Sequence, residues 1–270
     1  MKIKLVACIG TDSNISNPNL LYHFLEHYSK LGITDWSIKL HSSGNPQLNN
    51  LQVFEDILKT HHIPYSTWIG KYDDVRHVIM ENVLIARHTP DDWFVSADLD
   101  EFTDFPCSIP EYLADLAQQG YNCVTGNMID HTTANGELTQ ILRDELLTNQ
   151  FPREISVESV DNDLGITYEV SEYAQVYREK KVAIKKPLQW WISRHDINQK
   201  TKSFVKESPE KLKIRHYPWD DLRLKRLQDR YTSRKSVKPI HYSEKEYMIT
   251  QNNRSKIIEY LQKNGKFLLK

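Results

Sequence analysis

The sequence predicts an α/β fold in which a mainly parallel central sheet is flanked by helices. Three times before residue 90, a short apolar run is followed by a longer segment whose apolar residues recur at helical spacing. Short apolar runs bounded by polar residues are typical of buried strands, and the helical spacing is typical of amphipathic helices. Such alternation indicates a parallel sheet covered by helices.

The first strands are predicted at residues 3–9, 36–40 and 65–69, and a fourth begins at residue 93. We expect Gly32 to end the first helix, because glycine readily adopts the backbone conformation that closes a helix. The apolar residues that define the three helices are Leu20, Leu21, Phe24, Leu25, Tyr28 and Leu31, then Leu51, Phe54, Ile57 and Leu58, then Val75, Val78, Ile79, Val83 and Ala86.

The pattern is less regular in the second half of the chain. The elements predicted there are a helix at 109–119, strands at 122–128, 182–184 and 212–214, and a helix containing Leu224, Leu227 and Tyr231. Periodicity fades between residues 138 and 171. Because no repeat or low-complexity linker divides the chain, we expect one domain over residues 1–240 and a helical extension over residues 241–270.

Composition limits the class of protein. The 270 residues are 39% hydrophobic and 26% charged, as is typical of an ordinary globular protein. No apolar run is long enough to span a bilayer, and the apolar start of the chain is too short for a signal peptide. The three cysteines Cys8, Cys107 and Cys123 lack metal-site spacing and cannot all pair. We therefore expect a cytoplasmic protein.

The near-neutral net charge hides an asymmetry along the chain. Residues 1–177 hold 10 basic and 26 acidic side chains, whereas residues 178–270 hold 25 basic and 10 acidic ones. The first part therefore has a net charge of −16 and the second part of +15. This division favours a cation site in the first part and contact with an anion or an anionic surface in the second.

The strongest site signal is the stretch 91–106, where an apolar run at 93–95 is followed by Asp98, Asp100, Glu101 and Asp104. Acids at the carboxyl end of a buried strand suggest a site, because buried carboxylates are costly unless they are paired or bind metal. Asp98 and Asp100 would point to the same face of a regular strand. Two such carboxylates could hold one hard cation such as Mg²⁺ or Mn²⁺, which would in turn bind a diphosphate.

Several enzyme classes lack their sequence motifs in this chain. There is no glycine-rich dinucleotide fingerprint after the first strand and no phosphate-binding loop of the Walker type. There is also no serine nucleophile elbow and no zinc-binding His-Glu-x-x-His helix. The candidates must therefore combine an α/β amino-terminal part, an Asp-x-Asp motif after the fourth strand, and a basic, histidine-containing carboxyl-terminal part.

Several motifs in order along the chain resemble those of a known group of enzymes. They are Leu25-Glu26-His27-Tyr28 with Leu31-Gly32-Ile33, Asp98-Leu99-Asp100-Glu101-Phe102, Gly126-Asn127-Met128-Ile129-Asp130, Gln150-Phe151-Pro152, Lys181-Val182, His195 and His216-Tyr217-Pro218-Trp219. The set resembles the GT-A fold glycosyltransferases, in particular the family 2-like and family 92-like enzymes with a D-x-D-E-F motif. The resemblance covers roughly residues 1–235. One departure is Trp191-Ile192-Ser193-Arg194-His195, where relatives often have Gly-x-His.

The resemblance implies a metal-dependent transferase of the hexosyl type that takes a sugar from a nucleotide-diphospho-sugar, most often a UDP-sugar. Residues 1–105 would form the nucleotide-binding half and residues 106–240 the acceptor half. Mn²⁺ or Mg²⁺ would be held by Asp98, Asp100 and, by family position, His216. The alternative for His216 is a packed histidine beside Tyr217 and Trp219. The residues expected to bind the donor are Ile9, Gly10, Thr11, Ser42, Arg76, Asn82, Asp98 and Leu99.

Transfer by direct displacement, with inversion, needs a base that takes the proton of the acceptor. The candidates are Asp196, Asp130, Glu145 and Glu101, of which the resemblance favours Asp196, because it lies near the sequence distance found in related families. His195 could orient the acceptor. Arg215 and the Arg223, Arg226 and Arg230 stripe could meet phosphates or an anionic acceptor, although a solvated helix face would carry the same residues.

Two other functions stay open from the sequence. One is a sugar-phosphate nucleotidylyltransferase, which is disfavoured because residues 10–17 contain no basic residue to hold a triphosphate. The other is a non-catalytic binding protein that keeps the fold. The expected acceptor is a glycan or a lipid-linked acceptor, and no nucleic-acid partner is expected. The basic carboxyl-terminal part is compatible with peripheral contact to an anionic membrane.

Overall fold

A ten-stranded sheet runs through the described part of the chain, and both halves contribute to it. The computed structural model describes residues 1–156, 179–191, 194–226, 255, 258–259 and 261–267. The strands are β1 (Ile3–Gly10), β2 (Asp35–Ser42), β3 (Tyr65–Ile69), β4 (Trp93–Ser96), β5 (Glu101–Asp104), β6 (Cys123–Thr132), β7 (Arg153–Ser156), β8 (Glu179–Lys185), β9 (Leu212–His216) and β10 (Lys266–Phe267). The helices are α1 (Pro18–Lys30), α2 (Leu51–Thr60), α3 (Asp74–Ala86), α4 (Ile109–Gln118) and α5 (Leu147–Gln150).

The strand order is β10-β7-β6-β8-β4-β1-β2-β3, and β9 pairs with both β5 and β6. The neighbours β4, β1, β2 and β3 are all parallel. β8 runs antiparallel to β4 and β6, and β9 is again parallel to β6. The predicted α/β class with helices flanking a mostly parallel sheet is therefore confirmed. The carboxyl ends of the four parallel strands lie at one edge of the sheet, where ligands bind in open α/β folds.

The two faces of β1 bury different cores, as its alternating side chains require. Leu5, Ala7 and Ile9 belong to the large core under α1, α2 and α4, whereas Val6 belongs to a second core that includes residues of α3. Helix α1 begins with Asn17 as its cap and Pro18 in its first turn, where a missing backbone N–H costs nothing. Gly32 follows α1 at a φ of 91°, as predicted for the helix end.

Three strands, β5, β7 and β10, escape the sequence prediction, and β5 changes the geometry of the acidic motif. β5 and β7 were not predicted, because each contains a single apolar residue among four, whereas the equally short β4 contains three. β4 ends at Ser96, and the backbone N–H of Glu101 donates to the carbonyl of Asp98 at 3.0 Å. Asp98 and Asp100 therefore lie in a tight turn between β4 and β5, and their side chains do not share the face of a regular strand.

Helix α3 forms where predicted, but its apolar spacing does not mark its buried face. Val75, Ile79 and Val83 are 45–54% exposed, whereas His77 and Glu81 are buried. The physical reason is a set of polar contacts that hold the other face of the helix against the sheet. His77 Nε2 lies 2.9 Å from Glu81 Oε1, and its Nδ1 lies 2.9 Å from the Tyr72 hydroxyl.

The carboxyl-terminal prediction is tested only in part. Residues 223–226 are helical, and the rest of that predicted helix, including Leu227 and Tyr231, lies outside the described residues. The tail was expected to be helical through residue 269, but β10 follows the helical residues 261–264 and pairs with β7. Arg153 Nε donates to the carbonyl of Gly265 at 2.9 Å, which fastens this end of the chain to the sheet. Within the described residues, no helix combines the length and apolar character needed to cross a bilayer.

Burial keeps His27 and His131 neutral inside the fold, and we therefore expect the folded protein to lose stability in acid. Burial lowers the pKa of His27 and of His131 to about 4, and the ring of His27 lies 3.0 Å from the carbonyl of Thr103. The unfolded chain takes up these protons at the ordinary histidine pKa, so protons favour unfolding as the pH falls through and below about 6.5. Each histidine should therefore cost on the order of 1–2 kcal/mol of unfolding free energy between pH 7 and 5.

The check is urea denaturation of wild type and His27→Gln at pH 7 and pH 5. The variant should lose less stability than wild type between these pH values, because glutamine does not titrate there. His61→Gln is the matched control, since His61 is exposed at the end of α2. Equal losses in wild type and His27→Gln would contradict the assignment.

Candidate functional site

The candidate site surrounds the turn between β4 and β5, at the carboxyl edge of the parallel strands. Two sets of ionic contacts meet there, one around Asp98 and one around Asp100. The sequence placed both carboxylates on one cation, but the structure gives each of them its own basic partners.

Asp98 is held by two buried cations. Its Oδ2 contacts Lys180 Nζ from β8, and its Oδ1 contacts Arg194 Nη2. Lys180 also binds Glu101 Oε1, and Arg194 Nη1 lies 3.3 Å from Glu81 Oε1 on α3. The Lys180 and Arg194 side chains are 8% and 6% exposed, whereas that of Asp98 is 36% exposed. The carboxylate is therefore the solvent-facing member of the group.

The charges in this group compensate for their burial. Burial by itself would raise the pKa of Asp98, but the charges of Arg194 and Lys180 outweigh it and hold that pKa well below its usual range. Burial opposes the charged forms of Lys180 and Arg194, yet their carboxylate partners raise both pKa values. For Glu101 burial prevails and raises the pKa. Asp98 is consequently ionised at neutral pH, and Lys180 and Arg194 both stay charged.

Arg194 adopts an unusual backbone conformation. Its φ is 61°, in the left-handed region that side-chain-bearing residues avoid at a cost of about 1 kcal/mol. The guanidinium contacts Asp98, Glu81 and the Ser96 hydroxyl, the last at 2.5 Å. These contacts maintain the strained backbone, because releasing it would leave buried polar groups without partners. Through Glu81 they also connect the turn to helix α3.

Asp100 belongs to the second set, which is centred on His216 at the end of β9. His216 Nε2 lies 3.4 Å from Asp100 Oδ2, and its Nδ1 lies 2.7 Å from Asp130 Oδ1. Trp219 Nε1 donates to Asp130 Oδ2 at 2.8 Å. Although burial alone would lower it, the pKa of His216 is raised to about 10 by Asp100 and Asp130. The charge of His216 in turn keeps the pKa of Asp100 low against its burial.

The distances between the possible donor atoms show whether a metal ion would fit at the site. No cluster of three or more His, Cys, Asp or Glu side chains within the described ranges has the geometry of a metal site. Asp100 Oδ2 and His216 Nε2, at 3.4 Å, are close enough to occupy neighbouring positions around one cation once the proton of His216 leaves. Mg²⁺ is commonly bound by one or two carboxylates together with substrate phosphates and water. Asp100 and His216 therefore fit part of such a shell, whereas both oxygens of Asp98 face other cations.

The residues expected to line the nucleoside differ in how much surface they expose to a ligand. Thr11 is fully buried and donates to the carbonyl of His41 at 3.0 Å, and Ile9 lies in the core. Ser42 donates to Asp12 Oδ1 at 3.0 Å, which ties the ends of β1 and β2 together. A Cβ on Gly10 would lie 2.8 Å from the side chain of Ile15, so glycine permits this close approach. These residues shape the edge of the sheet, and Thr11 and Ile9 expose almost no surface to a ligand.

Arg76 and Asn82 on α3 have different surroundings. The Arg76 guanidinium lies 4.8 Å from the centre of the Trp68 ring. Asn82 donates to the carbonyl of Trp190 at 2.9 Å and accepts from its N–H at 3.0 Å. Both ends of the Asn82 amide are thus used to hold the segment that leads to Arg194. The structure gives Asn82 a structural partner and leaves Arg76 beside an aromatic group.

That aromatic group was missed in the sequence. His41, Trp68 and Tyr72 come from the ends of β2 and β3 and from the loop that follows β3. The rings of Trp68 and Tyr72 are stacked with their centres 5.5 Å apart, and the ring of His41 meets both edge-on. Tyr72 is 43% exposed, whereas Trp68 is buried. The available signal was the position of Tyr72 just beyond a predicted strand end.

The candidate bases also have distinct surroundings. Asp130 is buried, and both of its oxygens accept hydrogen bonds from His216 and Trp219. Asp196 accepts from the N–H of Ile197 at 2.7 Å and from Lys202 Nζ at 2.8 Å. Glu101 is paired with Lys180, and Glu145 is exposed in the loop before α5.

His195 lies next to the cation pair. Burial, reinforced by Lys180, lowers the pKa of His195 to about 4, so its ring is neutral at pH 7. Its Nδ1 lies 2.7 Å from the carbonyl of Glu179 and donates to it. Of the residues considered for catalysis, His195 is the neutral group that stands beside Lys180.

Lys180 and Arg194 themselves were not selected from the sequence. Both lie in the basic part of the chain, and Arg194 was noted only as a departure from the Gly-x-His pattern. The cue that could have identified them is charge balance, since the acids after β4 need buried partners. Of the arginines expected to meet phosphates, Arg226 pairs with Asp220 at 2.6 Å and Arg215 with Asp104 at 2.8 Å. Arg230 lies outside the described residues.

Comparison with known proteins adds only distant likenesses. No protein-family model matches the chain, and no curated protein matches it. A structure of TarS from S. aureus aligns over 92% of this chain and 43% of its own, at 9% identity and a TM-score of 0.32. A UDP-glucose pyrophosphorylase complexed with UDP-glucose aligns over 54% of this chain and 65% of its own, at 12% identity and a TM-score of 0.28. This chain thus spans less than two thirds of either structure.

Proposed function

We propose that the protein is a metal-dependent glycosyltransferase that uses a nucleotide-diphospho-sugar, with UDP-sugars as the first donors to test. The observation that carries the proposal is the pair of ionic groups around Asp98 and Asp100 at the carboxyl edge of a parallel sheet. That edge is where nucleotides bind in open α/β folds. The acidic turn with its buried cations offers both a cation position and a diphosphate position. A glycan or lipid-linked hydroxyl compound is the proposed acceptor.

Asp100 and His216 are the proposed metal ligands. They present two donor atoms 3.4 Å apart, and Asp130 and Trp219 fix the orientation of His216 from behind. A ligand histidine that is held by a carboxylate through its other nitrogen is a common arrangement in metal sites. Mn²⁺ or Mg²⁺ bound there would stabilise negative charge on the diphosphate that departs. Asp98 contributes to the donor site through Lys180 and Arg194.

The aromatic group at the ends of β2 and β3 is the proposed nucleobase platform. Tyr72 exposes 43% of its surface while stacked on buried Trp68. An exposed ring supported from behind by a second ring suits stacking of a flat base. Ser42 and Gly10 lie at the ends of the neighbouring strands β2 and β1. They would border the ribose, whereas Asn82 is left out of the proposal because its amide holds Trp190.

His195 is the proposed base. In direct displacement the acceptor oxygen forms a bond to the anomeric carbon while the bond from that carbon to the phosphate oxygen breaks. The acceptor proton passes to the base, and the electron pair of the broken bond stays on the diphosphate. The His195 ring is neutral at pH 7, the form that accepts a proton, and a diphosphate bound to Lys180 would offset the charge that now helps to lower its pKa. Asp196, with its carboxylate paired to Lys202, is the group that shapes the turn.

Metal-dependent nucleotide binding tests the proposal directly. Wild type with Mn²⁺ and UDP should unfold at a higher temperature than with either alone, because a ligand that binds only the folded state stabilises it by about 2.7 kcal/mol at 100 times its Kd. Asp100→Asn should lose the Mn²⁺-dependent part of this shift. Asp104→Asn is the matched control, since Asp104 lies on β5 and pairs with Arg215.

A panel of other nucleoside diphosphates, triphosphates and nucleotide sugars completes the thermal-shift experiment. No metal-dependent stabilisation by any nucleotide would contradict the proposal and favour a non-catalytic protein. Stabilisation by a triphosphate alone would favour a nucleotidylyltransferase.

Tyr72 provides a test of the base platform. Tyr72→Ala should weaken UDP binding about tenfold, because stacking of one base on an aromatic ring is worth roughly 1–3 kcal/mol. Calorimetry should show that inorganic diphosphate binds the variant as well as it binds wild type. Phe204→Ala removes another exposed ring and should change neither affinity. A Tyr72→Ala variant that keeps the wild-type UDP affinity would remove the platform from the site.

The two candidate bases in the 194–196 turn can be separated by kinetics. His195→Gln should lower kcat for sugar transfer or donor hydrolysis by about a hundredfold, a typical loss for general-base catalysis. UDP affinity should stay near that of wild type. Asp196→Asn should change kcat only slightly, since Asp196 binds the backbone N–H of Ile197 and Lys202. The reverse pattern would assign the base to Asp196.

A further inference from the structure

Lys180 and Arg194 form a cation pair that shares one carboxylate. Both bind Asp98, and each also binds a second acid, Glu101 for Lys180 and Glu81 for Arg194. The second acids are almost fully buried, with side chains 4% and 5% exposed, whereas that of Asp98 is 36% exposed. The pair therefore has two buried carboxylate partners, Glu101 and Glu81, and one partner, Asp98, that faces solvent.

The chemistry of this pair suits a phosphate as well as a carboxylate. Arginine binds two oxygens of either anion through parallel N–H groups, and lysine binds phosphate as a compact charge. Asp98 offers one oxygen to each cation, as two oxygens of a diphosphate could do. The position of Asp98 in a turn, rather than on a strand, gives its side chain room to move without breaking the sheet.

We propose that Asp98 is an internal stand-in for a diphosphate, and that an entering diphosphate displaces it and takes over Lys180 and Arg194. The proposal rests on the proposed function, in which that diphosphate belongs to the nucleotide-sugar donor. The exchange leaves no cation unpaired, because Lys180 keeps Glu101 and Arg194 keeps Glu81 and Ser96. Uncompensated buried charge, which would be costly, is avoided at every stage.

The exchange has a consequence for sugar transfer. When the bond between the anomeric carbon and the phosphate oxygen breaks, its electron pair stays on the diphosphate. Lys180 and Arg194, whose side chains are 8% and 6% exposed, would then stabilise the added negative charge. Asp98, once displaced, faces the solvent side of the turn beside Asp100. Lys180 and Arg194 become residues that contact the leaving group, a role that the sequence did not assign to them.

The deciding experiment is calorimetric titration of inorganic diphosphate in the presence of a chelator. Asp98→Asn should bind diphosphate at least about tenfold more tightly than wild type, because the variant no longer presents a competing negative charge to the two cations. Circular dichroism verifies that the variant is folded. Binding that is equal to or weaker than that of wild type would overturn the proposal.

A second comparison holds even where Asp98→Asn does not fold. Lys180→Gln should bind diphosphate at least about tenfold more weakly than wild type. Lys181→Gln should bind it as wild type does, since the adjacent Lys181 has a side chain only 12% exposed and pairs with Glu207 at 3.0 Å. Equal affinity of both lysine variants would overturn the proposal. Because inorganic diphosphate carries neither base nor sugar, these outcomes are independent of whether a nucleotide sugar is the substrate.

Discussion

The Asp98 carboxylate holds together segments that are far apart in the sequence. Through Lys180 it is joined to β8, and through Arg194 it is joined to Glu81 on α3. Removing Lys180 or Arg194 from this group would cost about 3–5 kcal/mol, because the carboxylates left behind would lose their compensation. The buried polar face of α3, the left-handed backbone of Arg194 and the fixed position of Glu101 all follow from this one set of contacts.

The same contacts explain why three apolar side chains of α3, those of Val75, Ile79 and Val83, face solvent. Val78 and Ile85 pack against the second core, but His77 and Glu81 take the positions nearest the acidic turn. A helix packed only by apolar contact would bury Val75, Ile79 and Val83 instead. Leaving Arg194 without Glu81 would cost about 3–5 kcal/mol, because a buried charge would lose a partner. The electrostatics of the site thus decide how the helix is rotated.

Much of the fold could be predicted from the sequence, because β1, β2, β3 and the first helices depend on local apolar periodicity. β5 and β7 could not, since each contains only one apolar residue and so lacks the apolar run that revealed β4. The position of Asp98 and Asp100 was predictable from the apolar run before them. Of their partners, His216 was placed there only by the resemblance. Lys180 and Arg194 were not selected, because they lie 82 and 96 residues from Asp98, and Lys180 reaches the turn only through the pairing of β8 with β4. The prediction of the buried face of α3 was wrong for the same reason.

The charges of the two ionic groups do not balance, and the negative excess favours a bound cation. Among the described residues, five carboxylates meet at the site, namely Glu81, Asp98, Asp100, Glu101 and Asp130, against the three cationic groups Lys180, Arg194 and protonated His216. With all five ionised the balance is two negative charges. Burial, together with the charges of Asp98 and Asp100, raises the pKa of Glu101. A divalent cation beside Asp100 would take the place of the proton on His216 and reduce the excess to one negative charge. The diphosphate then meets a site whose positive groups are already in position.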